Sequence, residues 1–199
     1  MFNKENYEKY IEAFLTQNSK LNLISKNDEK FLWEKHIFDS LSFEQFYKKY
    51  IKNNDAKELL DIGTGGGFPA LPIAITYNNI EIFALDSIRK KINAIEEIKK
   101  TLDLKNIHTI CDRAENIKQK FDIITSRAVA PLSKILEYGL PLLKKNGYFI
   151  AYKSIKTKDE INDARFVLKK FNAKVVEIIQ YELPLDENHT RNLIVIKAS

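Results

Sequence analysis

Apolar side chains recur at helical spacing in the N-terminal quarter of the chain. From Lys4 to Gln17 they fall on one face of a predicted helix, and the same spacing returns over Asp28–Leu41 and Phe43–Ile51. The polar stretch Lys52–Asp55 then interrupts the pattern. The chain is therefore predicted to begin with a helical cap, residues 1–57, that belongs to the same domain as the rest.

Beyond residue 57, short apolar runs alternate with segments of helical periodicity, which is typical of βαβ units. Strands are predicted over residues 58–62, 80–85, 107–111, 121–125, 147–152, 175–181 and 193–197. Helices are predicted over residues 69–77, 87–102, 132–142 and 158–170. The last two strands are expected to pair antiparallel. The predicted fold class is therefore α/β, with a Rossmann-like, seven-stranded mixed sheet over residues 58–199.

The first predicted strand ends in an acid and enters a glycine-rich turn that includes Asp61, Gly63, Gly65 and Gly67. Glycine adopts positive φ and leaves room for a ligand against the backbone. Open α/β sheets bind ligands at the carboxyl ends of their strands. The turn therefore predicts a nucleotide-type site in which these four residues bind a cofactor. The alternative is a tight strand-to-helix turn without a ligand.

The glycine spacing favours one cofactor over another. A dinucleotide fingerprint places its third glycine at position 68, where this chain has Phe68. Pro69 follows and is expected to open the next helix. Proline removes one of the N–H groups that a helix start offers to a phosphate. S-adenosylmethionine (SAM) has no phosphate, so the spacing favours SAM over NAD.

Asp86 follows the second predicted strand, nineteen positions after Gly67. Nucleotide-binding folds place an acid near this point, where its carboxylate accepts hydrogen bonds from both ribose hydroxyls. Ribose binding is the favoured role, and capping the helix that begins at Ser87 is a compatible alternative. The turn Asp112–Glu115 follows the third strand and is expected to face the adenine end of the same ligand.

His36, Asp39 and Arg127 are candidates for the substrate side of the site. His36 and Asp39 lie three positions apart on the second predicted helix, so they share a face. A structural histidine is the alternative. Arg127 follows the fourth strand, where an arginine contacts a cofactor or an RNA phosphate, or only caps the strand end.

Further substrate-binding candidates are Lys153, at the end of the fifth strand, and His189 with Arg191, before the last strand. Cations beside a cleft suit phosphate groups. The whole chain holds 32 Lys and Arg against 27 Asp and Glu, a formal net charge of +5. This excess suits an anionic partner such as nucleic acid.

Composition excludes several other classes of protein. A chain of 199 residues fits one domain of ordinary size. The single cysteine, Cys111, excludes a disulfide framework and a cysteine-based zinc cluster, and no metal site is predicted. The N-terminal residues do not resemble a signal peptide, and no apolar run is long enough to span a bilayer. A cytoplasmic monomer without membrane contact is therefore expected.

Four segments resemble one family closely, the RsmG (GidB) small-subunit rRNA guanine-N7 methyltransferases. They are Leu21–Ser25 leading into His36–Leu41, Gly67–Pro72, Leu85–Ser87, and Ser126–Leu132. The glycine loop is common to SAM-dependent methyltransferases generally. The histidine segment and the Arg-Ala-Val-Ala-Pro segment are more particular, and the resemblance runs over nearly the whole chain. Ala70 departs from it, because the family often has glycine there.

The resemblance implies a class I SAM-dependent methyltransferase that methylates N7 of a guanine in 16S ribosomal RNA, on the RNA or on the 30S subunit. The SAM contacts that it implies are Gly63, Phe68, Ala114, Glu115 and Arg127, with Asp86 as the ribose acid.

Guanine N7 carries a lone pair and no proton, so no general base is required. No residue is therefore assigned to acid–base catalysis. Positioning is the role expected of His36, Arg127 and Arg191, since in-line geometry and electrostatics carry such a reaction. The alternatives are a SAM-dependent methyltransferase acting on another RNA, a small molecule or a protein, and a non-enzymatic nucleotide-binding module.

Overall fold

A mixed sheet forms the centre of the computed structural model, which describes residues 2–51, 57–155, 157–186 and 189–199. Its strands are β1 (Lys57–Ile62), β2 (Ile80–Leu85), β3 (Ile107–Ile110), β4 (Phe121–Arg127), β5 (Leu143–Lys153), β6 (Ala173–Leu183) and β7 (His189–Ala198). They lie in the order β3-β2-β1-β4-β5-β7-β6. Strands β1 to β5 are parallel, whereas β7 is antiparallel to both β5 and β6. The predicted seven-stranded mixed sheet is confirmed.

Helices cover both faces of this sheet. They are α1 (Glu8–Leu21), α2 (Lys26–Glu29), α3 (Asp39–Leu41), α4 (Phe43–Tyr50), α5 (Ala70–Thr76), α6 (Arg89–Thr101), α7 (Leu132–Gly139), α8 (Thr157–Asp163) and α9 (Arg165–Lys170). A π-helix, Leu32–Phe38, joins α2 to α3. Short 3-10 turns occupy Lys4–Tyr7, Ala114–Asn116 and Leu140–Leu142. None of the described helices is both long and apolar enough to cross a membrane.

Successive side chains on each strand point to opposite faces of the sheet, so the hydrophobic core has two parts. On β4, Ile123 packs on the face covered by α1, α4, α5 and α6, while its neighbour Ile124 packs on the face covered by α7 and α9. Both residues are fully buried, as expected for a parallel sheet with helices on both sides. The cap helices share the first of these cores, to which they contribute Phe14 and Phe43.

The second predicted helix, 28–41, is broken. Ser25 caps α2 by accepting a hydrogen bond from the Asp28 N–H, and the chain leaves helical geometry at Phe31. The wider π-helix then begins and carries His36. A π-helix closes its hydrogen bonds one residue further along the chain than an α-helix does, and such segments are frequent at functional sites. The polar break predicted at 52–55 lies outside the described residues.

Two other predicted helices differ in detail. The predicted helix 132–142 ends at Gly139 and continues as a 3-10 turn through Pro141, whose ring cannot donate the next helical hydrogen bond. The predicted helix 158–170 is divided at Ala164, where ψ is −4°. These differences leave the carboxyl edge of the sheet where the sequence predicted it.

Candidate active site

The strand order reverses between β1 and β4, which flank each other at the centre of the sheet. In open α/β sheets this reversal opens a crevice at the carboxyl ends of the strands. Two cavities lie there. The first, which we call the glycine cavity, has a volume of about 530 Å³, and the second, the histidine cavity, about 570 Å³. Both are lined by Ala128, so they meet at the turn after β4.

Backbone turns and one buried acid build the glycine cavity. Gly63, Asp86, Ala114 and Glu115 line it, as the sequence predicted for cofactor contacts. Gly63 has a φ of +70°, and a Cβ added there would lie 2.4 Å from a methyl group of Val129. Only glycine therefore fits at the end of β1.

Asp86 fixes the shape of the glycine turn. Its Oδ2 accepts a hydrogen bond from the Gly65 N–H at 3.0 Å, and its Oδ1 accepts one from the Ile88 N–H at 2.9 Å. The Lys91 Nζ lies 3.7 Å from Oδ2. Asp86 therefore holds the start of α6 as well as lining the cavity, which places both predicted roles on one side chain.

Five of the predicted cofactor residues, Asp61, Gly65, Gly67, Phe68 and Arg127, do not line the glycine cavity. Arg127 lines the histidine cavity instead. Phe68 is buried with its ring centroid 5.1 Å from that of His36. Their contact with a cofactor stays a prediction.

Asp61 is the buried acid behind the glycine turn. Its Oδ1 accepts a hydrogen bond from Thr125 Oγ1 at 2.9 Å, whereas Asp61 Oδ2 and Thr64 Oγ1 have no partner among the described residues. Burial raises the pKa of Asp61 to about 6. Asp61 and Thr64 line neither cavity, so a contact between this acid and a ligand stays a prediction.

The histidine cavity brings together every predicted substrate-binding residue. These are His36, Asp39, Lys153, His189 and Arg191. They come from the π-helix, α3, β5 and β7, which are far apart in the sequence. Their convergence confirms that they share one location, while their contact with a substrate stays a prediction.

Arg127 connects the sheet to the helical cap. Its Nη1 donates to Asp39 Oδ2 at 2.9 Å and to the Lys35 carbonyl at 3.2 Å, and its Nη2 lies 3.0 Å from His36 Nδ1. The guanidinium also lies over the Phe68 ring, 5.2 Å from its centroid. Arg127 is therefore held on several sides, and its main structural task is to fix the cap against β4.

His36 is neutral in this arrangement. Because a guanidinium only donates, Nδ1 accepts from Arg127, which leaves the proton on Nε2. Burial first, and then the charge of Arg127, lower the pKa of His36 to about 4. The ring is therefore uncharged at neutral pH, with Nε2 buried and unpartnered among the described residues.

Two tyrosines that the sequence did not single out support the histidine cavity, and one of them, Tyr152, lines it. Tyr181, on β6, donates to Asp39 Oδ1 at 2.6 Å, and Tyr152, on β5, donates to the Ser40 carbonyl at 2.9 Å. Both Asp39 oxygens therefore accept hydrogen bonds from the protein. Asp39 is buried and holds Arg127 in place, and its predicted contact with a substrate stays a prediction.

Lys153 and Arg191, two of the four Lys and Arg residues that line the histidine cavity, differ in their partners. Lys153 donates to Glu160 Oε2 at 2.6 Å and to the Ala130 carbonyl at 2.9 Å, so its charge is already paired. Arg191 donates only to the Thr190 carbonyl, at 3.4 Å, and has no carboxylate partner within the described ranges. Arg191 is therefore the cation that remains available to an anion.

Comparison with known proteins decides the family. The sequence profile of the rRNA small subunit methyltransferase G (GidB) family matches residues 3–194. The chain belongs to this family. It is 39% identical over 199 residues to the ribosomal RNA small subunit methyltransferase G of Lachnoclostridium phytofermentans, covering 97% of this chain and 80% of that protein. The family member of Bacillus subtilis is 34% identical over 199 residues, covering 97% and 81%. The resemblance found in the sequence is confirmed.

Solved structures support the fold class. TrmN from Thermus thermophilus superposes with a TM-score of 0.63 at 15% identity, covering 83% of this chain and 53% of that one. Precorrin-6y C5,15-methyltransferase from Geobacter metallireducens gives 0.59 at 17% identity, covering 89% and 90%. The TYW2 of M. jannaschii, solved in complex with AdoMet, gives 0.59 at 18% identity, covering 80% and 74%. The predicted Rossmann-like, class I methyltransferase fold is confirmed.

Proposed function

We propose that this protein transfers the methyl group of SAM to N7 of a guanine in 16S ribosomal RNA. Membership of the rRNA small subunit methyltransferase G family supports the reaction class. The observation that carries the proposal is the pair of cavities that meet at Ala128. Methyl transfer requires the methyl donor and the acceptor atom to lie close together. Two cavities that meet at the turn after β4 suit this arrangement.

We assign SAM to the glycine cavity because its residues fit that molecule. The Asp86 carboxylate suits the two ribose hydroxyls, and the turn at Ala114 and Glu115 lies where an adenine would follow. The unpartnered Asp61 Oδ2, behind the turn, suits the amino group of the methionine part. When bound, SAM supplies an electrophilic methyl group on a sulfonium.

We assign the acceptor guanine to the histidine cavity. Neutral His36 and half-buried Arg127 offer planar, hydrogen-bonding surfaces to a base, and Arg191, which has no carboxylate partner among the described residues, offers its charge to the phosphate. Guanine N7 needs no deprotonation, so these residues bind and orient the base without moving a proton. N7 lies in the deep major groove of A-form RNA, so the target is expected in a loop or as a splayed base.

Mass spectrometry of 16S rRNA tests the proposal. A strain that lacks the gene is expected to lose one N7-methylguanine, and the gene supplied on a plasmid restores it, whereas the Asp86→Ala variant does not. An intact modification in the deletion strain contradicts the proposal. Transfer of labelled methyl groups to another RNA, a small molecule or a protein, with none to 30S subunits, favours the alternative acceptor. Size-exclusion chromatography with light scattering tests the accompanying proposal of a monomer.

A further inference from the structure

The outward face of α8 and α9 carries an exposed aromatic ring beside exposed cations. Phe166 leaves 87% of its surface exposed, the largest value among the exposed large apolar residues of the described chain. Lys158, Arg165 and Lys169, which we call the basic stripe, are also exposed. None of the three pairs with an acid among the described residues.

The basic stripe spans α8 and α9, and helical hydrogen bonds cross the division between them at Ala164. The Ala164 and Leu168 N–H groups donate to the carbonyls four residues earlier and carry the helical turn from one helix into the next. Lys158 lies seven positions before Arg165, and Lys169 lies four positions after it. Residues at these spacings share one face of a helix, so the three cations are aligned, with Phe166 beside them. Asp159 and Asp163 lie on the other side of Phe166, so the stripe itself contains no acid.

The basic stripe begins beside the histidine cavity. Ser154 and Glu160 line that cavity, and Lys158 lies between them in the chain. Ile155, directly after Ser154, is 69% exposed. From Lys158 to Lys169 the helical rise is about 16 Å. The stripe therefore starts at a chain segment that borders the cavity and runs along α8 and α9 over the length of a few nucleotides.

We propose that the basic stripe and Phe166 form a second contact surface for ribosomal RNA. It would bind the single-stranded segment that flanks the methylated guanine. Its cations pair with phosphates, and the exposed ring of Phe166 stacks on a base. An exposed ring next to unpaired cations matches this chemistry because a nucleic acid presents charge and aromatic faces together. The inference rests on the proposed function, since the acceptor guanine in the histidine cavity defines the flanking segment.

The test measures the KM for 30S subunits from a strain lacking the gene, at two salt concentrations. One variant combines Lys158→Gln, Arg165→Gln and Lys169→Gln. Its control combines Lys4→Gln, Lys9→Gln and Lys20→Gln, which removes the same exposed charge from the cap. The variant loses three phosphate contacts, which lowers the slope of log KM against log salt concentration by about 2 for single-stranded RNA. Between about 50 and 200 mM salt, the KM of the wild type is therefore expected to rise about 20-fold more than that of the variant.

A second variant tests the aromatic ring. Phe166→Ala is expected to raise the KM by about fivefold, with unchanged affinity for SAM, because a stacking contact is lost. Ile178→Ala, at another exposed apolar side chain, is expected to leave the KM unchanged.

The outcomes separate the two proposals. Wild-type protein that methylates no 30S subunits contradicts the proposed function itself. Methylation by wild type with equal KM and equal salt slope in the stripe variant overturns only the second surface. A raised KM with an unchanged salt slope also overturns it, because that result indicates a contact with a ribosomal protein instead of RNA.

Discussion

The glycine cavity and the histidine cavity meet at Ala128 but are built by different means. The glycine cavity is made of backbone turns at the ends of neighbouring parallel strands, with Asp86 as its buried acid. The histidine cavity is made of side chains from the cap, β4, β5 and β7, joined by hydrogen bonds. The first depends on local chain geometry, and the second depends on contacts between distant parts of the sequence.

This difference predicts separable failures. A change in the histidine cavity is expected to impair folding or methyl transfer while SAM still binds. A change in the glycine cavity is expected to impair SAM binding while the histidine network stays intact. Arg127 is the critical residue of the network, because it contacts His36, Asp39 and Phe68 at once.

The largest expected effect is that of Arg127→Ala. It leaves the Asp39 carboxylate buried without its cationic partner, which costs about 3 to 5 kcal/mol of unfolding free energy. Urea unfolding measures the loss, and Arg89→Ala, at an exposed arginine, is the control. Arg127→Lys keeps the charge and is expected to be more stable than Arg127→Ala, yet to lose methyl transfer. An Arg127→Ala protein as stable as wild type contradicts this account.

The next effect is a pH dependence that comes from His36. Its pKa is about 4 in the folded protein and about 6.5 when unfolded, so the unfolded state binds more protons between these values. The stability contribution is therefore full above pH 6.5 and lost as the pH falls towards 4, in total about 3 kcal/mol. The His36→Gln protein is expected to lose that much less stability than wild type from pH 7 to 4. Equal losses would count against the buried, neutral ring.

Asp61 is expected to act in the opposite direction over the same pH range. Its pKa is raised to about 6, so its contribution is full below the unfolded value near about 3.9 and is lost as the pH rises through 6. The pH dependence of wild-type stability contains both the His36 and the Asp61 contributions. Comparing the His36→Gln and His108→Gln proteins isolates the first, because His108 is an exposed histidine outside both cavities.

A smaller effect is expected in the glycine cavity. Asp86→Ala removes a carboxylate that suits the ribose and also holds Gly65, which is expected to weaken SAM binding by about 2 kcal/mol, or about 30-fold. Isothermal titration calorimetry measures the affinity. Glu81→Ala, at an exposed acid on the same strand, is the matched control. If Asp86→Ala binds SAM like wild type, the glycine cavity is not the cofactor site.

The smallest effect sharpens the role of Tyr181. Tyr181→Phe removes one hydrogen bond to Asp39 and is expected to cost about 1 kcal/mol of stability. A positioning role also predicts a lower kcat with unchanged KM for SAM, because Asp39 then holds Arg127 less firmly. Tyr148→Phe, whose hydroxyl forms no hydrogen bond within the described chain, is the control. A loss of stability with unchanged kcat would show that Tyr181 is only structural.

The sequence predicted residues of both cavities, but it revealed backbone turns more directly than contacts between distant side chains. Gly63 and Asp86 belong to local motifs whose spacing reflects backbone geometry, and both line the cavity as expected. The residues of the histidine cavity were found individually, but not the bonds between them. Tyr181 reaches Asp39 from 142 positions away, at a strand edge that no local pattern marks as functional. The sequence therefore could not show that both Asp39 oxygens accept hydrogen bonds, from Arg127 and from Tyr181.

A crystal structure with S-adenosylhomocysteine, the demethylated product of SAM, tests the central claim most directly. We predict that its adenine and ribose lie against Ala114 and Asp86, and that its sulfur lies beside Ala128, facing the histidine cavity. A product bound in the histidine cavity, or one whose sulfur faces away from Ala128, would contradict the account.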